Sequence, residues 1–392
     1  MSDVFVLSGK RTAIGDYGKA LKDIPPTKLG EIAIRAALVA GGVDAAEIQH
    51  VVMGNVIHTE PRDCYLSRVC AIDAGIPVET PALTVNRLCG SGLQAIISAA
   101  QSILLGDAEL AVAGGAESMS RGGYLLPTER WGARLGDAKV IDMVVGALHD
   151  PFGGGHMGIT AENVAARYEI NREQQDAFSV ESHRRAVAAQ AAGYFKEQIT
   201  PVEMPSRKGS VIFDTDEHVR ADTTLASLGG LKPAFKKDGT VTAGNASGLN
   251  DGAAALVLAS GAEVSRRGAK PLGRLVAYGH AGVDPGYMGL GPIPATKKAL
   301  QKAGLSIADM DVIESNEAFA VQACAVAQDL GFDPAKVNPN GGAVALGHPV
   351  GATGALITVK ALYELQRIRG RYALVTMCIG GGQGIAAIFE RV

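Results

Sequence analysis

The sequence predicts an α/β fold made of two duplicated halves, and three observations carry that reading. Short β-branched runs alternate with longer helical patterns over the first 120 residues. The same order of events returns from about Pro271. The 392 residues include 50 glycines, 47% hydrophobic and 20% charged residues, which suits a layered core with many tight strand-to-helix turns.

The chain start, Met1-Ser2-Asp3-Val4-Phe5-Val6-Leu7, enters a strand at once. Glu31 to Val39 reads as a helix and His50 to Val56 as a strand. Thr84-Val85-Asn86 leads into Cys89-Gly90-Ser91-Gly92, a glycine turn, and then into the apolar helix Leu93 to Leu105. Ala108 to Gly114 is the next strand. Ser120 to Gly248 breaks the alternation with glycine and proline clusters and two helices, Thr160 to Arg167 and Glu173 to Ala192. This stretch reads as an insertion, either shaping a substrate site or forming a surface or oligomerisation excursion.

In the second half, Ala295 to Leu300, Gly304-Leu305 and Ala308-Asp309-Met310 repeat Ala33 to Leu38, Gly42-Val43 and Ala46-Glu47-Ile48. Leu346 to Gly351 answers to Leu88 to Gly92, so the two turns carry His348 and Cys89. Val312-Ile313, Tyr372 to Met377 and Ile385 to Phe389 read as strands. The expected units are therefore 1–120 completed by 249–270, an insertion over 121–248, and 271–392.

A net charge of -3 supplies no field for a polyanion, and no basic patch stands out, so small molecules are expected and nucleic acid is not. Five cysteines without regular spacing (Cys64, Cys70, Cys89, Cys324, Cys378) argue against a disulfide framework or a zinc site. No leader is visible at the start, no apolar run is expected to reach the roughly 18 residues of a bilayer span, and Phe389-Glu390-Arg391-Val392 matches no organelle address. A cytoplasmic location without membrane association is the expectation.

Cys89 lies between a strand and a helix, where backbone N–H groups and the positive helix end favour a thiolate nucleophile. A free cysteine is also ordinary buried filler, and Gly90-Ser91-Gly92 followed by Ala95 fits a dinucleotide turn as well. His348 sits in a glycine-rich loop ending at Pro349, which positions an imidazole; a satisfied polar histidine is the alternative. Cys378 opens Cys378-Ile379-Gly380-Gly381-Gly382, whose N–H groups could hold an oxyanion or simply turn a hairpin. The amide of Asn316, in Asn316-Glu317-Ala318-Phe319, could hold a water or an oxyanion.

Together these four runs, with Asn86-Arg87-Leu88-Cys89-Gly90-Ser91-Gly92 and Gly347-His348-Pro349 in this order, resemble the thiolase family over essentially the whole chain. The resemblance implies a five-layered αβαβα fold from two βαβαβαββ halves with an inserted loop domain. It implies a reversible Claisen condensation of two acetyl-CoA to acetoacetyl-CoA and CoA, without metal or other cofactor. Cys89 would take the acyl group, His348 activate it, Cys378 move the α-proton and Asn316 hold a water, with the N–H groups of Cys89 and Gly380 as oxyanion donors. Leu148, Arg220, Ser227, Phe235, Ala243, Ser247 and Phe319 would contact substrate or CoA, and His156, Met157 and Met288 resemble the acyl pocket of short-chain biosynthetic members. Thr353 departs from the serine of many relatives. Within the family the likeness is to bacterial acetyltransferases and β-ketothiolases of polyhydroxyalkanoate synthesis, with C5 substrates a further expectation. A homotetramer joined near Leu125 to Asp137 is also implied. The rivals are a degradative 3-ketoacyl-CoA thiolase, a ketosynthase, which pairs its cysteine with two histidines, and a non-catalytic acyl-CoA carrier.

Overall fold

The computed structural model describes residues 3–206 and 209–392, so Met1 and Ser2 of the expected first strand lie outside the described residues. The first half runs Val4–Thr12 (β1), Pro26–Gly41 (α1), His50–Gly54 (β2), Leu66–Asp73 (α2), Ala82–Val85 (β3), Ser91–Leu105 (α3) and Leu110–Ser118 (β4). An excursion containing Met157–Tyr168 (α4) and Arg172–Ala192 (α5) follows before Asn250–Ser260 (β5) returns to the sheet. The second half runs Gly273–Gly282 (β6), Pro292–Ala303 (α6), Val312–Ser315 (β7), Ala320–Leu330 (α7), Thr353–Ile368 (α8), Tyr372–Ile379 (β8) and Gln383–Glu390 (β9).

The strand order is β7-β8-β9-β6-β1-β5-β4-β2-β3. Each half therefore lays down its strands in one sequence, β1-β5-β4-β2-β3 and β6-β9-β8-β7, and Val337 bridges to Ile313 where the second half would have its fifth strand. The halves meet where β1 pairs with β6, through Phe5 with Arg274 and Val6 with Gly273. Both copies close on an antiparallel pair, but with different connections. Gly380-Gly381-Gly382 joins β8 to β9, whereas residues 119–249 separate β4 from β5.

Burial follows the layers. Helices α3 and α8 pack on each other between the two half-sheets, and Leu93, Ile96, Ile97, Leu356, Val359 and Leu362 form the central core. Outside the first half-sheet, α1 buries Leu29, Ile34 and Leu38 against Val51 and Val257. Outside the second, α6 buries Ala295 and Leu300 against Leu374 and Ile388. This is the expected five-layered arrangement.

Several element bounds differ from expectation for local reasons. Helix α1 starts at Pro26, which needs no N–H in the first turn, and stops at Gly42 in the left-handed region. Strand β4 runs on to Ser118 because β5 pairs with it that far, through Asp251 opposite Ser118. The window Leu88–Leu105 is long and apolar enough to cross a membrane by length and composition, which corrects the expectation that no such run exists. Its place in the central layer accounts for the apolar face, since Leu93, Ile96, Ile97, Ala100 and Ile103 are buried in the core while Gln94, Ser98, Gln101 and Ser102 lie on a half-buried side.

The structure also corrects the register of the repeat. The helices start at Ser91 and Thr353, and their first turns cross so closely that each needs a glycine. A Cβ at Gly92 would meet the Ala355 nitrogen, and one at Gly354 the Leu93 nitrogen. That reciprocity pairs Cys89 with Gly351, leaving His348 three residues upstream on a longer loop.

Candidate active site

The Cys89 turn is held by its own side chains. Asn86 Oδ1 accepts from Leu88 N at 2.9 Å, Ser91 Oγ accepts from Arg87 N at 2.8 Å, and the same hydroxyl donates to Leu88 O at 2.7 Å. Leu88 is forced to φ 45°, a left-handed conformation that costs a leucine about 1–3 kcal/mol and that only a well-braced turn sustains. Cys89 then stands just ahead of α3. Its residue is only half-buried, but its sulfur is enclosed. Burial pushes the thiol up, and the N–H groups of Gly380 and of Cys89 itself oppose that.

His348 enters from the other half. Asn250 Oδ1 accepts its backbone N–H at 2.9 Å, and Asn250 Nδ2 donates to Gly15 O at 3.0 Å, fixing the loop to the β1 end. The imidazole Nδ1 lies 2.7 Å from Thr353 Oγ1, whose proton goes to Pro349 O at 2.9 Å. The hydroxyl must therefore accept from Nδ1–H, which leaves Nε2 as the lone-pair nitrogen. Nε2 has no hydrogen-bond partner among the described residues. Burial lowers this histidine to about 4, so the ring is neutral at physiological pH.

Cys378 is the last residue but one of β8 and is buried; burial first, and Cys89 second, push its thiol well above the ordinary range. The two sulfurs are thus electrostatic neighbours. Asn316 follows β7 and donates its backbone N–H to Thr376 O at 2.9 Å. Its side-chain amide is buried, with neither Oδ1 nor Nδ2 hydrogen-bonded among the described residues. An unpaired buried amide is costly, and a water is the usual remedy.

A cavity of about 380 Å³ joins these parts, with Cys89, His348, Cys378 and Gly380 in its wall. Its remaining wall is mostly apolar and takes in Leu148, His156, Met157, Phe235, Ala243, Ser247, Met288 and Phe319. The His156 ring stacks on Phe235 at 4.6 Å and accepts from Gly158 N through Nδ1, capping α4. Ser247 is placed by its N–H to Ala318 O at 3.0 Å and by the bridge between Ala246 and Phe319. Three expected residues are not in this wall. Asn316 is buried but does not line the cavity, while Arg220 and Ser227 are exposed on the excursion, where Ser227 Oγ donates to Thr224 O. Among the described residues no group of three or more His, Cys, Asp or Glu is placed to hold a metal ion.

Sequence reasoning missed Asn250 and Glu117 and gave Thr353 no role. Thr353 carried a usable signal, standing one turn after Pro349 at a helix start. Glu117 carried none, being a single carboxylate at the end of an apolar strand.

A duplicated α/β core that closes two thiols and an imidazole into one apolar cavity is a setting for thiol-based acyl transfer. The family models "Thiolase, N-terminal domain" and "Thiolase, C-terminal domain" match residues 4–262 and 269–391. The chain belongs to the thiolase family and is an acyltransferase. It is 66% identical to the β-ketothiolase BktB of Cupriavidus necator, covering 100% of this chain and 99% of that one. It is 51% identical to an acetyl-CoA acetyltransferase of the same organism over the full length of both. The human mitochondrial 3-ketoacyl-CoA thiolase superposes with a TM-score of 0.98 at 48% identity, covering 100% of this chain and 99% of that one.

Proposed function

We propose that this thiolase is an acetyl-CoA C-acetyltransferase that condenses two acetyl-CoA to acetoacetyl-CoA and CoA, reversibly, and also handles C5 3-ketoacyl substrates. The observation that carries the reading is the meeting of Cys89, His348, Cys378 and Gly380 in one apolar cavity. The similarity to BktB and to bacterial acetyl-CoA acetyltransferases supports the substrate class.

In the synthetic direction His348 Nε2 takes the Cys89 proton, and the thiolate attacks the thioester carbonyl of acetyl-CoA. The oxyanion forms against the N–H groups of Cys89 and Gly380, then collapses with departure of CoA as its thiol, leaving acetyl-Cys89. With CoA gone, Cys378 gives its proton to the freed His348 Nε2 and, as thiolate, removes a proton from the methyl of a second acetyl-CoA. The His348 imidazolium and a water on Asn316 steady the enolate, whose carbon attacks acetyl-Cys89 and expels the Cys89 thiolate, which takes the proton back from His348. The unpartnered amide of Asn316 and the free Nε2 support these assignments.

Pantetheine runs past Ser247 and Ala243, with Leu148, Phe235 and Phe319 around it, while His156, Met157 and Met288 bound the acyl end. Arg220 and Ser227 meet the nucleotide end outside the cavity, where their exposure suits a charged ligand. The 121–248 excursion also joins a homotetramer, supported by the exposed Leu125, Leu126, Trp131 and Leu135. A degradative role on longer chains is the second reading, favoured by the likeness to the human mitochondrial enzyme.

Peptide mass mapping after mixing with acetyl-CoA tests the nucleophile. An added acetyl group on Cys89, absent in Cys89→Ala, is expected; acetylation elsewhere would sink the assignment. Thiolysis rates on C4, C5 and longer 3-ketoacyl-CoA decide between the readings, with C4 and C5 fastest here.

A further inference from the structure

Glu117 takes no part in the chemistry proposed above, yet it is wholly buried at the end of β4 beside that chemistry. Its Oε1 accepts from Asn55 Nδ2 at 3.0 Å and from Ile57 N at 3.1 Å. Its Oε2 accepts from Val56 N at 3.0 Å and from Gly351 N at 2.8 Å. Burial pushes the carboxyl up to about 8, and the N–H groups of Ile57, Gly351 and Val56 work against that. A proton on either oxygen would find only donors, so the geometry suits the carboxylate.

The donors belong to two different pieces of the cavity wall. Val56 and Ile57 line it from the first half; Gly351 belongs to the loop that carries His348 and follows the lining residue Val350. The Gly351 carbonyl presses on Gly54 and Gly115, so this loop rests directly on the backbone of β2 and β4. Gly351 is also the repeat partner of Cys89, at the foot of the helix whose Thr353 orients the imidazole.

We propose that Glu117 is a positioning residue for acyl transfer, one that pins the His348 loop and the Asn55–Ile57 segment together across the two halves and so fixes His348 over Cys89. It acts through Gly351 and touches no substrate. Such a pin matters because a displacement of about 1 Å in a catalytic group costs on the order of 10²-fold in rate. The inference rests on the roles given to Cys89 and His348 above.

The test is Glu117→Gln in the full-length enzyme. The variant keeps the size, but its NH₂ group must face two N–H donors. Rapid-quench measurement of Cys89 acetylation should show a rate about 10²-fold lower, with KM for acetyl-CoA within about twofold of the parent value. A parental enzyme that never carries acetyl on Cys89 would sink the chemical assignment. A parent acetylated there and a variant acetylated equally fast would overturn the role of Glu117 alone. A large rise in KM alongside the loss of rate would show general damage to the wall and would overturn it too. Should the glutamine variant not fold, Asn55→Ala decides, because it removes one donor and leaves the backbone ones. A several-fold slower acetylation at constant KM supports the pin, and an unchanged rate overturns it.

Discussion

A threonine hydroxyl decides what His348 can do. Thr353 Oγ1 spends its proton on Pro349 O and receives Nδ1–H, so Nε2 keeps its lone pair, with no hydrogen-bond partner among the described residues. Replacing His348 by Asn should slow acetylation of Cys89 by about 10² to 10⁴-fold, the range for a positioned base, and an unchanged rapid-quench rate would remove it from that role. The pH signature has a definite sign. This histidine lies near 4 when folded against an ordinary value of 6.5, so between these values the unfolded chain binds a proton that the native one does not. Its contribution is intact above pH 6.5 and is lost as the pH falls towards 4, by roughly 3 kcal/mol. His183 and His280, also lowered to about 4, behave alike, so the parent must be compared with His348→Asn. The variant should lose less stability than the parent between pH 6.5 and 4, measured by denaturant unfolding; equal losses would show that His348 is not held neutral.

At the scale of elements, the crossing of α3 and α8 sets the distance between the two halves of the site. Gly354→Ala should lower the thermal midpoint, because a Cβ there has no room beside the Leu93 backbone and overpacking costs about 1–3 kcal/mol. Gly123→Ala, where a Cβ meets open space, is the control and should change little. A midpoint unmoved by Gly354→Ala would mean that the helices can separate freely. The elements themselves were readable in the sequence because α3 repeats an apolar face at helical spacing and β8 and β9 carry mostly apolar runs, with glycine at their turns. Their register was not. Leu346–Gly351 resembles Leu88–Gly92 in composition, but only the reciprocal contacts of Gly92 and Gly354 reveal that Cys89 matches Gly351. The site was legible where chemistry and turn coincide, as at Cys89, His348 and Cys378. Glu117 and Asn250 stayed hidden, because their value lies in backbone donors and acceptors that are distant in sequence.

For the whole molecule, duplication supplies two helix-foot loops and one long excursion roofs the space between them. In the second half Gly380-Gly381-Gly382 closes β8 onto β9 and ends beside Cys89; in the first, the equivalent connection expands into the wall that carries Leu148, His156 and Ser247. Exposed Arg220 and Ser227 were named from family likeness rather than from any physical signal of their own. In the proposed mechanism, one fold delivers a nucleophile from one copy and a base and second thiol from the other. If that division of labour holds, acyl transfer and carbon–carbon bond chemistry are separable within one cavity. The direct measurement is Cys378→Ala assayed twice, for exchange of the acetyl group between acetyl-CoA and labelled CoA, and for thiolysis of acetoacetyl-CoA. Exchange should persist near the parental rate while thiolysis falls by about 10² to 10⁴-fold; equal losses in both, or no loss in either, would contradict the assignment of Cys378 to the carbon–carbon step.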